Sequence, residues 1–154
     1  MIRYSRLPHN IEELIPHAIS YLRSRRDIHF GYLFGGFARK RLTPLSDVDI
    51  AVYLSEASKR PLKDAQFNKD LADLAEKRLD ILGNLMDILH TDEVDLVILN
   101  RALLPLKMKI LENREVIVDN DPFLRHRYES LSMREYFDFS FLETGILKRR
   151  YLCG

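Results

Sequence analysis

The sequence predicts one small α+β domain, α/β-like in the alternation of its strands and helices. Three observations predict it. Apolar runs of strand length occur at 28–34, 48–54 and 93–99. Segments with helical periodicity lie before, between and after them, the longest at 64–89. The chain has 154 residues, 46% hydrophobic and 31% charged, enough for one globular core and too few for two ordinary domains.

Asn10 opens the first helix. Its side chain can accept an N–H of the first turn, and Glu12 and Glu13 suit the positive end of the dipole. Ile11, Leu14, Ile15, Ala18, Ile19 and Leu22 form one apolar stripe, which Pro16 should bend or shift. Arg23, Arg25 and Arg26 close the helix as capping and solvated residues. Ile28 to Phe34 is the first strand and Val48 to Leu54 the second. Between them, 37–40 reads as a helical turn, and Pro44 keeps Thr43 out of helix geometry. Residues 55–61 form a polar connection.

The long helix of 64–89 should bury Phe67, Leu71, Leu74, Ala75, Leu79, Leu82, Leu85, Met86 and Leu89, with Gly83 weakening it by about 1 kcal/mol. Thr91 and Asp92 make a turn into the third strand, Glu93 to Leu99. A short helix follows at 104–112, with Pro105 in its first turn, then a short edge strand at 115–118. Asp121 and Pro122 start a last helix running to about Phe137, with Phe123 and Tyr128 along it. Tyr136, Phe137, Phe139 and Phe141 bunch too closely to share one helical face. They read either as irregular core packing or as a partner-binding surface. The domain is expected to span 1–140, with 141–154 as a solvated C-terminal tail.

Net charge is +1, without the bulk basic character of a dedicated nucleic-acid binder. No apolar run approaches the roughly 18 residues of a membrane span, and the N-terminus lacks the apolar core of a secretory signal. The single cysteine, Cys153, cannot form an internal disulfide, which suits a reducing cytoplasm. The five histidines lack the paired spacing of a zinc site, and no Ser-His-Asp or Cys-His nucleophile pattern is visible.

The chemistry concentrates in Tyr32 to Leu54. An apolar run stops at Gly35-Gly36, ten residues intervene, and Asp47 and Asp49 follow in the next strand. Two residues apart on a strand, the two carboxylates leave the same face and repel unless a cation sits between them. A hard divalent ion such as Mg²⁺ does this, and it also takes phosphate oxygens. Asp95 is the candidate third acid. It stands in an otherwise apolar strand, where a buried carboxylate needs a metal or a partner. Two ions about 3.5–4 Å apart can steady both oxygens of a phosphoryl displacement. The glycines let backbone N–H groups approach phosphate oxygens. Arg39 is the best placed of Arg39, Lys40 and Arg41 to neutralise a triphosphate, and Ser46 can orient an acid or cap the turn. A glycine pair or an Asp-x-Asp alone is common. Their conjunction with a third acid on a later strand points to a nucleoside triphosphate held through metal.

With these residues the chain resembles the polymerase beta nucleotidyltransferase superfamily, and within it the minimal nucleotidyltransferases that are antitoxin partners of HEPN-domain toxins. Gly35, the ten-residue gap, Asp47, Asp49 and Asp95 match that family's Gly-Ser, Asp-x-Asp and third-Asp signature. VDLVILNRA and the helix from Asp121-Pro122 to Tyr136-Phe137-Asp138 also look like it. One departure stands out: Gly36 replaces the usual serine, so only a backbone N–H is offered where a hydroxyl would meet a phosphate.

The resemblance implies a small mixed sheet flanked by helices, with Asp47, Asp49 and Asp95 as catalytic metal ligands and Gly35, Gly36, Arg39 and Ser46 at the nucleotide. It implies a cytoplasmic enzyme that uses ATP and Mg²⁺ to transfer AMP to a tyrosine of a cognate HEPN ribonuclease toxin, forming a hetero-oligomer with the toxin or a homodimer. The alternatives are a non-catalytic antitoxin that acts by binding and a nucleotidyltransferase of small molecules such as aminoglycosides. One domain leaves little room for an acceptor site, which favours a protein acceptor that brings its own surface.

Overall fold

The computed structural model describes residues 7–38, 47–56 and 64–152. The predicted α+β class holds: four strands form one mixed sheet with helices on both faces. The elements are α1 (Ile11–Ser24), β1 (Ile28–Phe34), α2 (Gly35–Ala38), β2 (Val48–Leu54), α3 (Asp64–Leu89), β3 (Val94–Ile98), α4 (Leu104–Glu112), β4 (Glu115–Asp119) and α5 (Pro122–Leu152). A 3-10 turn, Leu99–Arg101, follows β3. The strand order is β3-β2-β1-β4. β1 is antiparallel to β2 and β4, and β2 is parallel to β3. The parallel pair requires a crossover, which α3 supplies.

Strand alternation divides the core in two. Ile28, Leu33, Val48, Ile50, Val52, Leu54 and Leu96 face α1 and α3. Phe30, Tyr32, Phe34 and Ala51 face the other way, onto Leu99, Ile110 and Leu111. There Phe30 stacks on Tyr53 at 4.9 Å, and Tyr128 of α5 meets both rings at 5.5 Å. Buried Glu129 of α5 anchors the same layer. Its Oε1 accepts from the Tyr32 hydroxyl at 2.7 Å, Arg114 at 3.1 Å and Arg125 at 3.2 Å.

Several expectations change. Asn10 caps α1 through its backbone carbonyl, which accepts from Glu13 and Leu14, and its side chain makes no cap bond. Pro16 lies inside α1 without ending it. Arg23 and Arg25 are tertiary contacts rather than solvated caps. Arg23 donates to the Ile117 carbonyl on edge strand β4 at 2.8 Å, and Arg25 pairs with Asp27 and Asp80, both at 2.7 Å. Along α3, Phe67, Ala75 and Leu79 are exposed while Ile81 is buried, because the stripe that meets the sheet runs through Leu74, Ile81, Leu85 and Leu89. The turn after β1 begins at Gly35, two residues early.

Asp121 caps α5 as expected, accepting from the Leu124 N–H at 3.1 Å. The helix then overruns its predicted end near Phe137 and stays helical to Leu152. A boundary after residue 140 therefore falls inside a helix. The late aromatics are not core: Phe137, Phe139 and Phe141 are exposed. No helix among the described residues is long and apolar enough to cross a membrane.

Candidate active site

The acids gather at one end of the parallel pair. Asp49 of β2 stands directly opposite Asp95 of β3. Both side chains leave the face that α4 and α5 cover, the face of Ala51 and Val97. Asp47 lies one residue before β2, on the same side as Asp49 by the two-residue period. Backbone pairing continues there, with the Val48 N–H donating to the Glu93 carbonyl at 2.9 Å. So Asp47-x-Asp49 lies beside Glu93-x-Asp95.

Glu93 is a site residue the sequence reading missed. Its carboxyl shares a hydrogen bond with that of Asp47. The signal was present, since Glu93 repeats the two-residue spacing of the aspartates. Only the parallel register, Val48 against Val94, makes the two pairs adjacent.

The electrostatics follow from this crowding. Asp47 is raised above the usual carboxylate range by its hydrogen bond to Glu93, then by burial, then by the charges of Glu93 and Asp95. Asp49, half-buried, is pushed up to about 6 by burial, then by the charges of Asp95 and Asp47. Lys109 of α4 opposes that rise. Lys109 is the second residue that sequence reasoning missed. It is 60 positions from Asp49, and no local pattern marks it.

Asp95 corrects an argument made from sequence. It is exposed, because β3 is an edge strand whose end is uncovered at this point. Burial therefore does not force a partner on it; its register beside Asp49 is what places it in the site.

Gly35 is bound to this geometry twice. Its φ is +69°, a conformation that side chains other than glycine resist. A Cβ built there would overlap Asp49 Oδ2 and lie 3.0 Å from Asp49 Cγ. The glycine thus makes room for the carboxylate as well as for any close ligand. Gly36 follows in α2, half-buried. Arg39, Lys40, Arg41 and Ser46 lie outside the described residues.

No three of the His, Cys, Asp and Glu side chains among the described residues converge as they stand on one ion position. In kind, however, the donors fit a hard divalent cation. They are all carboxylate oxygens, they repel one another as the raised Asp47 and Asp49 show, and the exposed Asp47 and Asp95 have space to turn inward.

Residues 17–123 match the family model described as polymerase beta, nucleotidyltransferase. No curated protein matches the chain. Among solved structures, a chain of a toxin–antitoxin complex with AMP-PNP aligns at TM-score 0.59 and 18% identity, over 89% of this chain and 95% of that one. A chain of a tri-AMPylated Shewanella oneidensis HEPN toxin in complex with MNT antitoxin aligns at TM-score 0.54 and 17% identity, over 90% and 93%. A chain of the MntA-HepT toxin–antitoxin aligns at 0.54 and 18%, over 92% and 97%. At these identities the structures speak for a shared fold. The family match covers more than two thirds of the chain, and with the paired acids and the glycine turn in place it is conclusive: this protein belongs to the polymerase beta nucleotidyltransferase family.

Proposed function

We propose that the protein is a Mg²⁺-dependent adenylyltransferase that moves AMP from ATP to a tyrosine hydroxyl of a HEPN-domain ribonuclease toxin, and so acts as its antitoxin. One observation carries the reading: Asp49 and Asp95 stand in register across β2 and β3, with Asp47 beside them and the Gly35 turn pressed against Asp49. The complexes of similar fold, one tri-AMPylated and one holding AMP-PNP, support the choice of nucleotide and partner.

Asp47, Asp49 and Asp95 would hold the metal, which when bound neutralises phosphate charge and steadies the leaving oxygen. Glu93, hydrogen-bonded to Asp47, sets the orientation of that carboxylate. Asp95 is exposed on an edge strand, open to an incoming acceptor, and takes the proton of its hydroxyl. The bond from the tyrosine oxygen to the α-phosphorus forms as the bond from that phosphorus to the bridging oxygen breaks, and pyrophosphate leaves. Gly35, Gly36, Arg39 and Ser46 complete the nucleotide side of the site.

The test is transfer of label from α-labelled ATP to the cognate HEPN protein. Asp49→Asn and Asp95→Asn should each lower it about 100-fold or more while the fold persists by circular dichroism. Transfer retained in either variant would remove the assigned roles. A second reading, neutralisation by binding alone, draws on the exposed Phe137, Phe139 and Phe141 and on Gly36 where a hydroxyl is usual. It prevails if the wild-type protein binds the toxin tightly and labels it with no nucleoside triphosphate.

A further inference from the structure

The aromatic stretch near the end of α5 lies beyond the part of that helix that packs on the sheet. From Met133 to Gly145 no residue is buried. Tyr136, Phe137, Phe139, Phe141 and Leu142 are all large, apolar and 41% to 79% exposed. Apolar side chains crowded on a free surface mark an interaction site. Phe137, Ser140, Phe141, Thr144 and Gly145 enclose an open hollow of about 580 Å³ on it. Residues i, i+3, i+4 and i+7 of one helix form the hole that takes a single side-chain knob from a helix laid against it. Phe137, Ser140, Phe141 and Thr144 have that spacing. The two rings form the walls, and Ser140 and Thr144 the floor. The Thr144 hydroxyl turns back to its own helix, donating to the Ser140 carbonyl at 2.9 Å, so it makes no demand on an occupant.

The charges beside the hollow select its occupant. Asp138 and Glu143, both exposed, lie on opposite flanks of it. At about 100° per residue, each stands roughly 110° around the axis from the centre of the hollow. Arg134 is the only cation between residues 133 and 145, a turn before the hollow, and Glu135 lies 3.9 Å from Lys107. A second copy of this helix would bring acids to both flanks again, in either orientation, and like charges across an interface are unfavourable. A helix with lysines or arginines beside its apolar knobs meets the same flanks favourably.

We propose that the distal half of α5 docks a basic amphipathic helix of a partner protein. One apolar side chain of that helix seats between Phe137 and Phe141, and cations on either side of it meet Asp138 and Glu143. Gly145 agrees with this. Glycine is poorly suited to a helix interior, and a Cβ there meets no atom of the described residues within 4 Å. Nothing within the chain uses the space it leaves, whereas a second helix passing close does. The hollow and its flanking charges carry the inference; only the identity of the partner, the toxin proposed above, rests on the antitoxin reading. What is added to that reading is the kind of surface the toxin brings.

Two synthetic alanine-based helices of about 20 residues serve as probes, each with leucines at i, i+4 and i+7, one flanked by lysines and the other by glutamates. Titrated calorimetrically into the full chain, the lysine helix should bind at least tenfold more tightly than the glutamate helix. Phe137→Ser should weaken it at least tenfold, the usual loss when an aromatic anchor of an interface is truncated. Gly145→Arg, which fills the hollow and suits a helix better than glycine, should do the same, while Gly145→Ala should not. Asp138→Lys combined with Glu143→Lys should reverse the preference between the two helices. Circular dichroism separates lost binding from a lost fold. The proposal is overturned if neither helix binds, if both bind alike, or if the Phe137 and Gly145 variants bind as the wild type does. A wild-type homodimer in sedimentation that Phe137→Ser dissociates also overturns it, by giving the hollow to a second copy. The HEPN protein is the third probe and should respond to the same substitutions. If it does not bind the wild type at all, the antitoxin reading fails, while the two helices still decide the hollow.

Discussion

At the scale of single residues, Asp49 shows what the site costs the fold. Its carboxyl is held at about 6, above the roughly 3.9 of an unfolded chain. The native state therefore binds that proton more tightly than the unfolded state. Stability falls as pH rises from about 4 through 6 and stays lower above it. Asp49→Asn removes the penalty. Discounted for partial exposure, this is about 1 kcal/mol, or a melting temperature about 2–4 °C higher at pH 7.5, with the difference gone at pH 4. Millimolar Mg²⁺ should raise the melting temperature of the wild type at pH 7.5 and leave Asp49→Asn unmoved. Differential scanning fluorimetry across pH checks both, and a variant less stable than wild type at pH 7.5 would contradict the account. Strained acids released by a cation are what a binding site, rather than a structural ion pair, presents.

At the scale of elements, polar contacts secure the edges of the sheet and add to the apolar packing of its two faces. Arginines from one helical layer cap carbonyls on both edge strands: Arg23 of α1 reaches Ile117 on β4, and Arg78 of α3 reaches Leu96 on β3 at 3.0 Å. Such contacts occupy edges that could otherwise pair with another chain. Asn100 extends β2 with its side-chain amide, accepting from the Leu54 N–H and donating to the Leu54 carbonyl, both at 2.8 Å. On the opposite layer, Glu129 ties α5 to β1 and to the segment before β4. Burial pushes its carboxyl up, but the Tyr32 hydroxyl and then Arg114 and Arg125 outweigh burial and hold it below the usual range. Its contribution is complete above about pH 4.5 and is lost as pH falls through its lowered folded value. Glu129→Gln leaves Arg114 without its anion and Arg125 with Asp119 alone, and should cost about 3 kcal/mol at pH 7, read as a lower midpoint of urea unfolding. A loss under about 0.5 kcal/mol would mean that α5 is held by its apolar contacts alone.

For the whole molecule, the asymmetry of α5 matters most. Its first half packs on the sheet through Leu124, Tyr128 and Glu129, whereas Phe137 and Phe141 are 68% and 79% exposed. Side chains this exposed contribute little to folding. Changing both to serine should leave the melting temperature within about 2 °C. If the reading as an antitoxin holds, the same change removes the complex with the HEPN partner on gel filtration, and an undiminished complex would place the interface elsewhere. One reading made from sequence, a partner-binding surface, agrees with this exposure; the other, irregular core packing, does not. Sequence could not decide between them, because helical periodicity tells which residues share a face and not whether anything covers it.

Much of the frame was legible because its signals are local. Strand runs, the Asp121 cap and the start at Pro122 depend on neighbours within a few residues, and they appear where expected. The same holds for Asp47 and Asp49, whose common face follows from a period of two. What only the tertiary structure decided depends on pairing between distant segments. The parallel register sets Glu93 beside Asp47 and Asp95 beside Asp49, and the edge position of β3 leaves Asp95 exposed. The packing of α4 on the acidic face brings Lys109 toward Asp49, and α3 turns Ile81 inward and Leu79 out. The sequence by itself determined that acids would share a face beside a glycine turn. Which further groups complete that face was settled by strand register and helix packing, which no short-range pattern encodes.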